Sequence, residues 1–372
     1  MKEKIEKIGK KKIILVVTFL VLIIVILFGG AFIYNKFFYK RSYSEIENIM
    51  LEAAKNYMTK NSNNLPKNIN DSVTLSVSDL VRTEEMKKLD EYLKDDSVSC
   101  KGSVMITNVN QTYRYTPNLD CGTKYKTLKF IDYIKEHQPI VENGNGLYNL
   151  NEELVFRGDS VHNYLKLSGK MYRIVKFSNE EAVIIYAEKS ESMVWDDRYN
   201  IDKNSIIGIN DYSVSKIKEY LDNLYRGTTI LGVNKTTLVD YKSLVVAYPL
   251  AIGKRSSKDT DKTGTLEKGV VMENQFIGLL PLYDYMNASL DANCTTSISA
   301  SCMNYNYLAK YKYPWWVMTA NSEKTYNVYR IDKSANLSSA NGSAYVRHVF
   351  HLVKDALYVS GDGTYDNPYI IK

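Results

Sequence analysis

The stretch Met171-Tyr172-Arg173-Ile174-Val175-Lys176-Phe177, then Ser178-Asn179-Glu180, then Glu181-Ala182-Val183-Ile184-Ile185-Tyr186-Ala187, decides the fold of the larger part of this chain. Both long runs are rich in β-branched and apolar residues, and a three-residue polar break separates them. That is the pattern of two antiparallel strands joined by a tight turn. Downstream, Trp315 to Thr319, Tyr326 to Ile331, Tyr345 to Leu352 and Ala356 to Val359 read as further strands. The chain closes in a hairpin about Gly361-Asp362-Gly363-Thr364, with Tyr369 to Ile371 returning. Helices are fewer. Val214 to Tyr225 places Ile217, Tyr220, Leu221 and Leu224 on one face with Ser213 as N-cap, and Leu279 to Ala288 forms a second, short helix. Arg255 to Lys268 is polar and irregular, a surface loop.

Upstream of this β-rich region, Phe130 to Asn145 is a boundary, a charged helical stretch ending in Pro139 and Asn143-Gly144-Asn145-Gly146. Before it, Ser103 to Val109 and Thr112 to Tyr115 read as a hairpin turning near Asn110-Gln111. Val73 to Val77 alternates like a strand, and Asp79 is placed to cap a short helix reaching Leu89 or Tyr92. From Ser44, the residues Ile46, Ile49, Met50, Ala53, Ala54 and Tyr57 recur at three- and four-residue steps, one apolar helical stripe that Asn61 to Asn64 and Pro66 end.

Ile13 to Tyr34 carries no charge and no proline. As a helix it would reach about 33 Å, enough for a bilayer core of about 30 Å. Six lysines precede it, against Lys36, Lys40 and Arg41 just after it, so the expectation is a single-pass anchor with its N-terminus cytoplasmic and the rest outside. The competing reading is a signal peptide cleaved at Gly29-Gly30-Ala31, but the apolar run continues through Phe32 and Ile33. The expected organisation is a stub (1–12), a transmembrane helix (13–34), a small α/β stalk (35–128), a linker (129–145) and a C-terminal domain (146–372). The fold class is α+β.

The chain has 372 residues, 45% of them hydrophobic, and a net charge of +6, partly in the basic flanks. A folded ectodomain fits this composition; nucleic acid as partner does not. Cys100, Cys121, Cys294 and Cys302 form two local pairs. In an oxidising compartment these read as disulfides, with free buried thiols as the alternative. Neither spacing is that of a zinc or redox CxxC site.

Read together, Gly146-Leu147-Tyr148, Phe156-Arg157-Gly158, Tyr172-Arg173-Ile174-Val175, Trp195-Asp196-Asp197-Arg198-Tyr199-Asn200, Trp315-Trp316, Val346-Arg347 and Gly361-Asp362-Gly363-Thr364 with Asn367-Pro368-Tyr369 resemble a module found on surface proteins of low-GC Gram-positive bacteria. That module is similar to the superfamily joining formylglycine-generating enzymes and C-type-lectin-like folds. One departure is His348, where the pattern has proline. The resemblance implies a C-type-lectin-like domain over about 146–372. Cys294 and Cys302 do not stand where the oxidase branch of that superfamily holds copper, so the binding branch is the better fit. Residues 13–125, a half-membrane, half-amphipathic helix followed by a small disulfide-framed sheet, resemble type IV pilins in topology, without their cleavage site and helix glutamate.

Site residues follow from these readings. Trp315 and Trp316 are adjacent, so on a strand one faces inward and one outward. The outward ring, with Tyr326 or Tyr329, would form an aromatic platform for a sugar or peptide. His348 and His351 form H-x-x-H, which on a strand points to opposite faces, so no shared metal is expected. Asp259-Thr260-Asp261-Lys262-Thr263-Gly264 opens like a calcium loop but has Val270 in place of the twelfth-position glutamate, and Asp362, Asp366 and Asn367 suit a tight turn. No catalytic set and no cofactor is expected. The function expected is recognition of a glycan or protein through loops such as Arg255–Lys268 and Asn293–Asn306. The alternatives are a pilin-like structural component self-associating through the Ser44–Tyr57 stripe, and a sulfatase-activating-type oxidase.

Overall fold

The structure is a computed structural model that describes residues 40–93, 98–109, 112–227, 242–332 and 334–372. It is mixed α/β, with seven α-helices among the described residues. The described residues form two compact units, the first within 40–63, 74–104 and 117–126 and the second within 64–73, 105–116 and 127–372.

In the first unit, Ser42 and Glu45 make a reciprocal capping box that starts the helix Tyr43–Lys60, and Asn61 ends it. Ile46, Met50, Ala53, Ala54 and Met58 are buried along one side, so most of the stripe expected to pair with other copies packs within its own unit. Gly102 makes that packing possible, because a Cβ there would stand 2.8 Å from Val77 and 2.9 Å from Met50. Ser76, rather than Asp79, caps the next helix, Val77–Arg82, and a separate short helix, Leu89–Leu93, follows. Cys100 and Cys121 are bonded.

The membrane-spanning part of the expected architecture is corrected. Among the described residues no helix is long and apolar enough to cross a membrane. The 18-residue helix Tyr43–Lys60 carries Glu45, Glu47, Glu52, Lys55 and Lys60, and charges at that density are costly in lipid. The single-pass placement with a cytoplasmic N-terminus therefore has no element in the described structure to carry it. Ile13 to Tyr34 and the Asn110-Gln111 turn lie outside the described residues.

The second unit is built on two sheets. The larger has nine strands, ordered Gly278–Leu279, His348–Leu352, Glu181–Tyr186, Lys170–Ser178, Tyr164–Leu167, Tyr369–Ile371 and Tyr358–Ser360, with the hairpin Gly146–Leu150/Glu153–Arg157 joined through Lys170–Ser178. The last strand of the chain, Tyr369–Ile371, lies parallel to Tyr164–Leu167. The smaller sheet has six strands centred on Trp315–Asn321. Lys170–Ser178 is buried from Tyr172 to Phe177, because neighbours cover both of its faces, and the buried stretch includes the charged Arg173 and Lys176.

Several boundaries moved. Tyr345 to Leu352, expected as one strand, is two: Ser343–Tyr345 in the small sheet and His348–Leu352 in the large one. The chain changes sheet at Val346-Arg347, where the buried Arg347 donates from Nε to the Tyr186 carbonyl at 2.9 Å. The helix expected from Val214 runs Lys216–Arg226, capped by Ser215 and closed by Gly227 in the left-handed region.

Candidate functional site

Two hairpins lie side by side in the large sheet because Leu154 and Val155 pair with Phe177 and Lys176. Their tips carry the same dipeptide, Asn151-Glu152 and Asn179-Glu180. All four residues have positive φ (50°, 69°, 49° and 66°), the backbone a two-residue turn needs to match strand twist. Below the tips, the large sheet, the strand Tyr248–Ala251 and the start of the helix Leu282–Asn287 enclose a cleft of about 460 Å³. Val183, Leu250, Leu279 and Val349 supply apolar wall; Glu153, Lys176, Glu181, Asp284 and His351 supply charge and hydrogen-bonding capacity.

Lys176 is the centre of the cleft's electrostatics. It sits in the buried strand Lys170–Ser178 with 5% of its side chain exposed. Nζ lies 3.0 Å from Glu153 Oε2, 3.0 Å from the Tyr283 hydroxyl and 2.9 Å from Asp284 Oδ1, three acceptors for three N–H bonds. Desolvation opposes its charge, yet Asp284, Tyr283 and Glu153 outweigh it and hold the ammonium protonated. Asp284, with 3% of its side chain exposed, has its carboxyl pushed up to about 6 by burial, against the pull of Lys176. For Glu153, burial is again the largest influence, but Lys176, Ser178 and Lys268 together bring it below the ordinary carboxylate value. Two carboxyls on one ammonium are thus driven in opposite directions.

The remaining oxygens are unevenly used. Glu153 Oε1 accepts from Ser178 Oγ at 2.8 Å and lies 3.7 Å from Lys268 Nζ. Among the described residues Asp284 Oδ2 has no hydrogen-bond partner, while Oδ1 faces Lys176. On the far side, the His351 ring stacks on Tyr248 (centroids 3.7 Å apart, planes 6°), and its Nδ1 lies 3.2 Å from Glu181 Oε2. Burial lowers the His351 pKa despite Glu181. A neutral imidazole bonds a carboxylate only by donating, so Nδ1 carries the proton.

A second feature adjoins this one in sequence. The loops 255–268 and 293–306, both expected to bind ligand, pack on each other. Ser297 N and Oγ donate to the Asp259 carbonyl and Oγ also to that of Ser256, and Lys262 Nζ donates to the Cys294 carbonyl at 3.1 Å. Cys294 and Cys302 are bonded and close the second loop. Ile298, Met303 and Tyr305 on that loop are exposed. Beneath the first loop, Arg255 Nη1 meets Glu267 Oε1 at 3.1 Å with neither side chain exposed, and Nη2 donates to the carbonyls of Asp259 and Asp261.

The aromatic residues named from sequence lie elsewhere. Trp315, Trp316 and Tyr329 are core residues, 1%, 0% and 0% exposed; Tyr326 alone is partly open. The expected outward tryptophan is inward because the strand is covered on both faces: every residue of Trp315–Asn321 is buried. Trp316 Nε1 donates to the Met193 carbonyl, and Trp315 lies under the Arg347 guanidinium. His348 packs between Tyr186 and Phe350, on the side opposite His351's contacts. Asp261 and Asp362 each accept from the backbone and hydroxyl of a threonine two residues on, as turn residues do. Among the described residues no three His, Cys, Asp or Glu are grouped to hold a metal. Sequence reading missed Glu153, Lys176, Glu181 and Asp284. The one signal was Lys176 itself, a lysine inside an apolar strand run. Comparison with protein-family models, curated proteins and solved structures finds no match to this chain.

Proposed function

We propose that the second unit is a recognition module that binds a glycan or protein ligand without transforming it. The observation that carries this reading is a preformed, part-apolar cleft whose acidic oxygens are not all used within the protein. Sites of this size and character hold small molecules or single side chains. The loop pair 255–268 and 293–306 supports it, since a covalently closed loop resting on a buried ion pair loses little entropy when it meets a partner. The test is binding of the full chain to glycan arrays and displayed peptides, with each captured ligand analysed by mass spectrometry after incubation. Saturable binding with the ligand recovered intact is expected. Absence of any ligand across both panels, or a ligand recovered chemically altered, would overturn the reading.

A further inference from the structure

We infer that the group seated in the cleft is an ammonium on a compact, partly apolar body; this rests on the recognition reading above and names its ligand class. The first ground is unspent hydrogen-bonding capacity. Lys176 has committed all three N–H bonds, His351 Nδ1 is committed to Glu181, and Ser178 to Glu153. Asp284 Oδ2, on a side chain almost wholly buried, is an acceptor without a partner, and Glu181 Oε1 is another at the more open side. A ligand that satisfies these two carboxylate oxygens must bring donors, while the Tyr248 hydroxyl, buried without a partner in the same lining, can donate or accept.

The second ground is charge. The lining holds Glu152, Glu153, Glu181 and Asp284 against only Lys176 and Lys268. Lys176 and Lys268 both lie on Glu153, and Lys176 on Asp284. Glu181 faces a neutral imidazole and, among the described residues, pairs with no lysine or arginine. An anionic ligand would meet uncompensated repulsion, whereas an ammonium makes charge-assisted bonds in a low-dielectric site. Glycine is the easy second residue of these turns, yet Glu152 and Glu180 occupy it at positive φ. The strain is about 1 kcal/mol each, and of the two only Glu152 adds its acidic charge to the cleft lining. Val183, Leu250, Leu279 and Val349 then offer a dry wall for the carbon frame beside the charge.

The same ammonium chemistry occurs on an amino sugar and on a lysine side chain, and matched pairs separate the two. Titration calorimetry on the full chain would compare glucosamine with N-acetylglucosamine, and Nα-acetyl-lysine methylamide with its norleucine analogue. In at least one pair the charged member should bind at least tenfold tighter, and the pair that discriminates identifies the source. Glu181→Gln and, separately, Asp284→Asn should each cut that preference several-fold; Glu181 is partly exposed, so its variant keeps the test sound if the Asp284 variant misfolds. Equal binding within both pairs, no binding by any probe, or a preference untouched by Glu181→Gln would overturn the inference. The recognition reading falls only if the broad panels also return nothing; a neutral or anionic ligand from those panels would leave it standing and remove the ammonium.

Discussion

Two buried ion clusters stand in the same unit and differ in one respect. Arg255 and Glu267 are wholly enclosed, and Nη2 of the arginine donates to two carbonyls of its own loop. Lys176, Asp284 and Glu153 are nearly as buried, yet they line open volume. The enclosed pair even leaves Arg255 Nε and Glu267 Oε2 without partners, a cost with no route to a ligand. The open cluster directs its spare oxygen where something can reach it. Burial and pairing alone thus do not mark a site; spare bonding capacity facing a cavity does.

The contrast can be broken by unfolding measurements. Arg255→Met leaves Glu267 enclosed with only the Thr319 hydroxyl as partner, and should cost about 3–5 kcal/mol in denaturant unfolding. Lys176→Met should cost less, about 2–3 kcal/mol, because water in the cleft can solvate the abandoned carboxylates. Equal costs would mean that the cleft is sealed core like its counterpart.

The pH profile sharpens the same point. Burial raises the Asp284 carboxyl from an ordinary 3.8 to about 6, so the folded protein holds this proton more tightly than the unfolded chain. The stability this confers is fully present below the unfolded value and lost as pH rises through about 6. Unfolding free energy should therefore fall across that window, by on the order of 3 kcal/mol. Asp284→Asn should flatten the fall. A fall that survives the substitution would assign the proton elsewhere.

The smallest effect concerns the turns. Glu180→Gly removes left-handed strain and should raise stability by a few tenths to about 1 kcal/mol, read as a higher melting temperature. A lower melting temperature would mean that the glutamate side chain contributes to the fold.

Local pattern carried the sequence reading a definite distance. The strands about residues 171–187, the helix after Ser42 and the pairing of neighbouring cysteines depend on residues close in the chain, and each formed. Trp315 and Trp316 were misplaced because alternation assigns opposite faces but is silent on whether both are covered. The break at Arg347 was missed for a related reason, since strand propensity along Tyr345 to Leu352 does not record which sheet each half joins.

What the sequence by itself determined is the place of the longer strands and helices, because backbone propensity and side-chain period are settled within a few residues. The cleft was decided by tertiary structure alone. Glu153, Lys176, Asp284 and His351 come from four separate segments, and only the order of strands in the large sheet brings them together. Coulomb and hydrogen-bond energies depend on distances through space, which sheet order sets and local propensity does not.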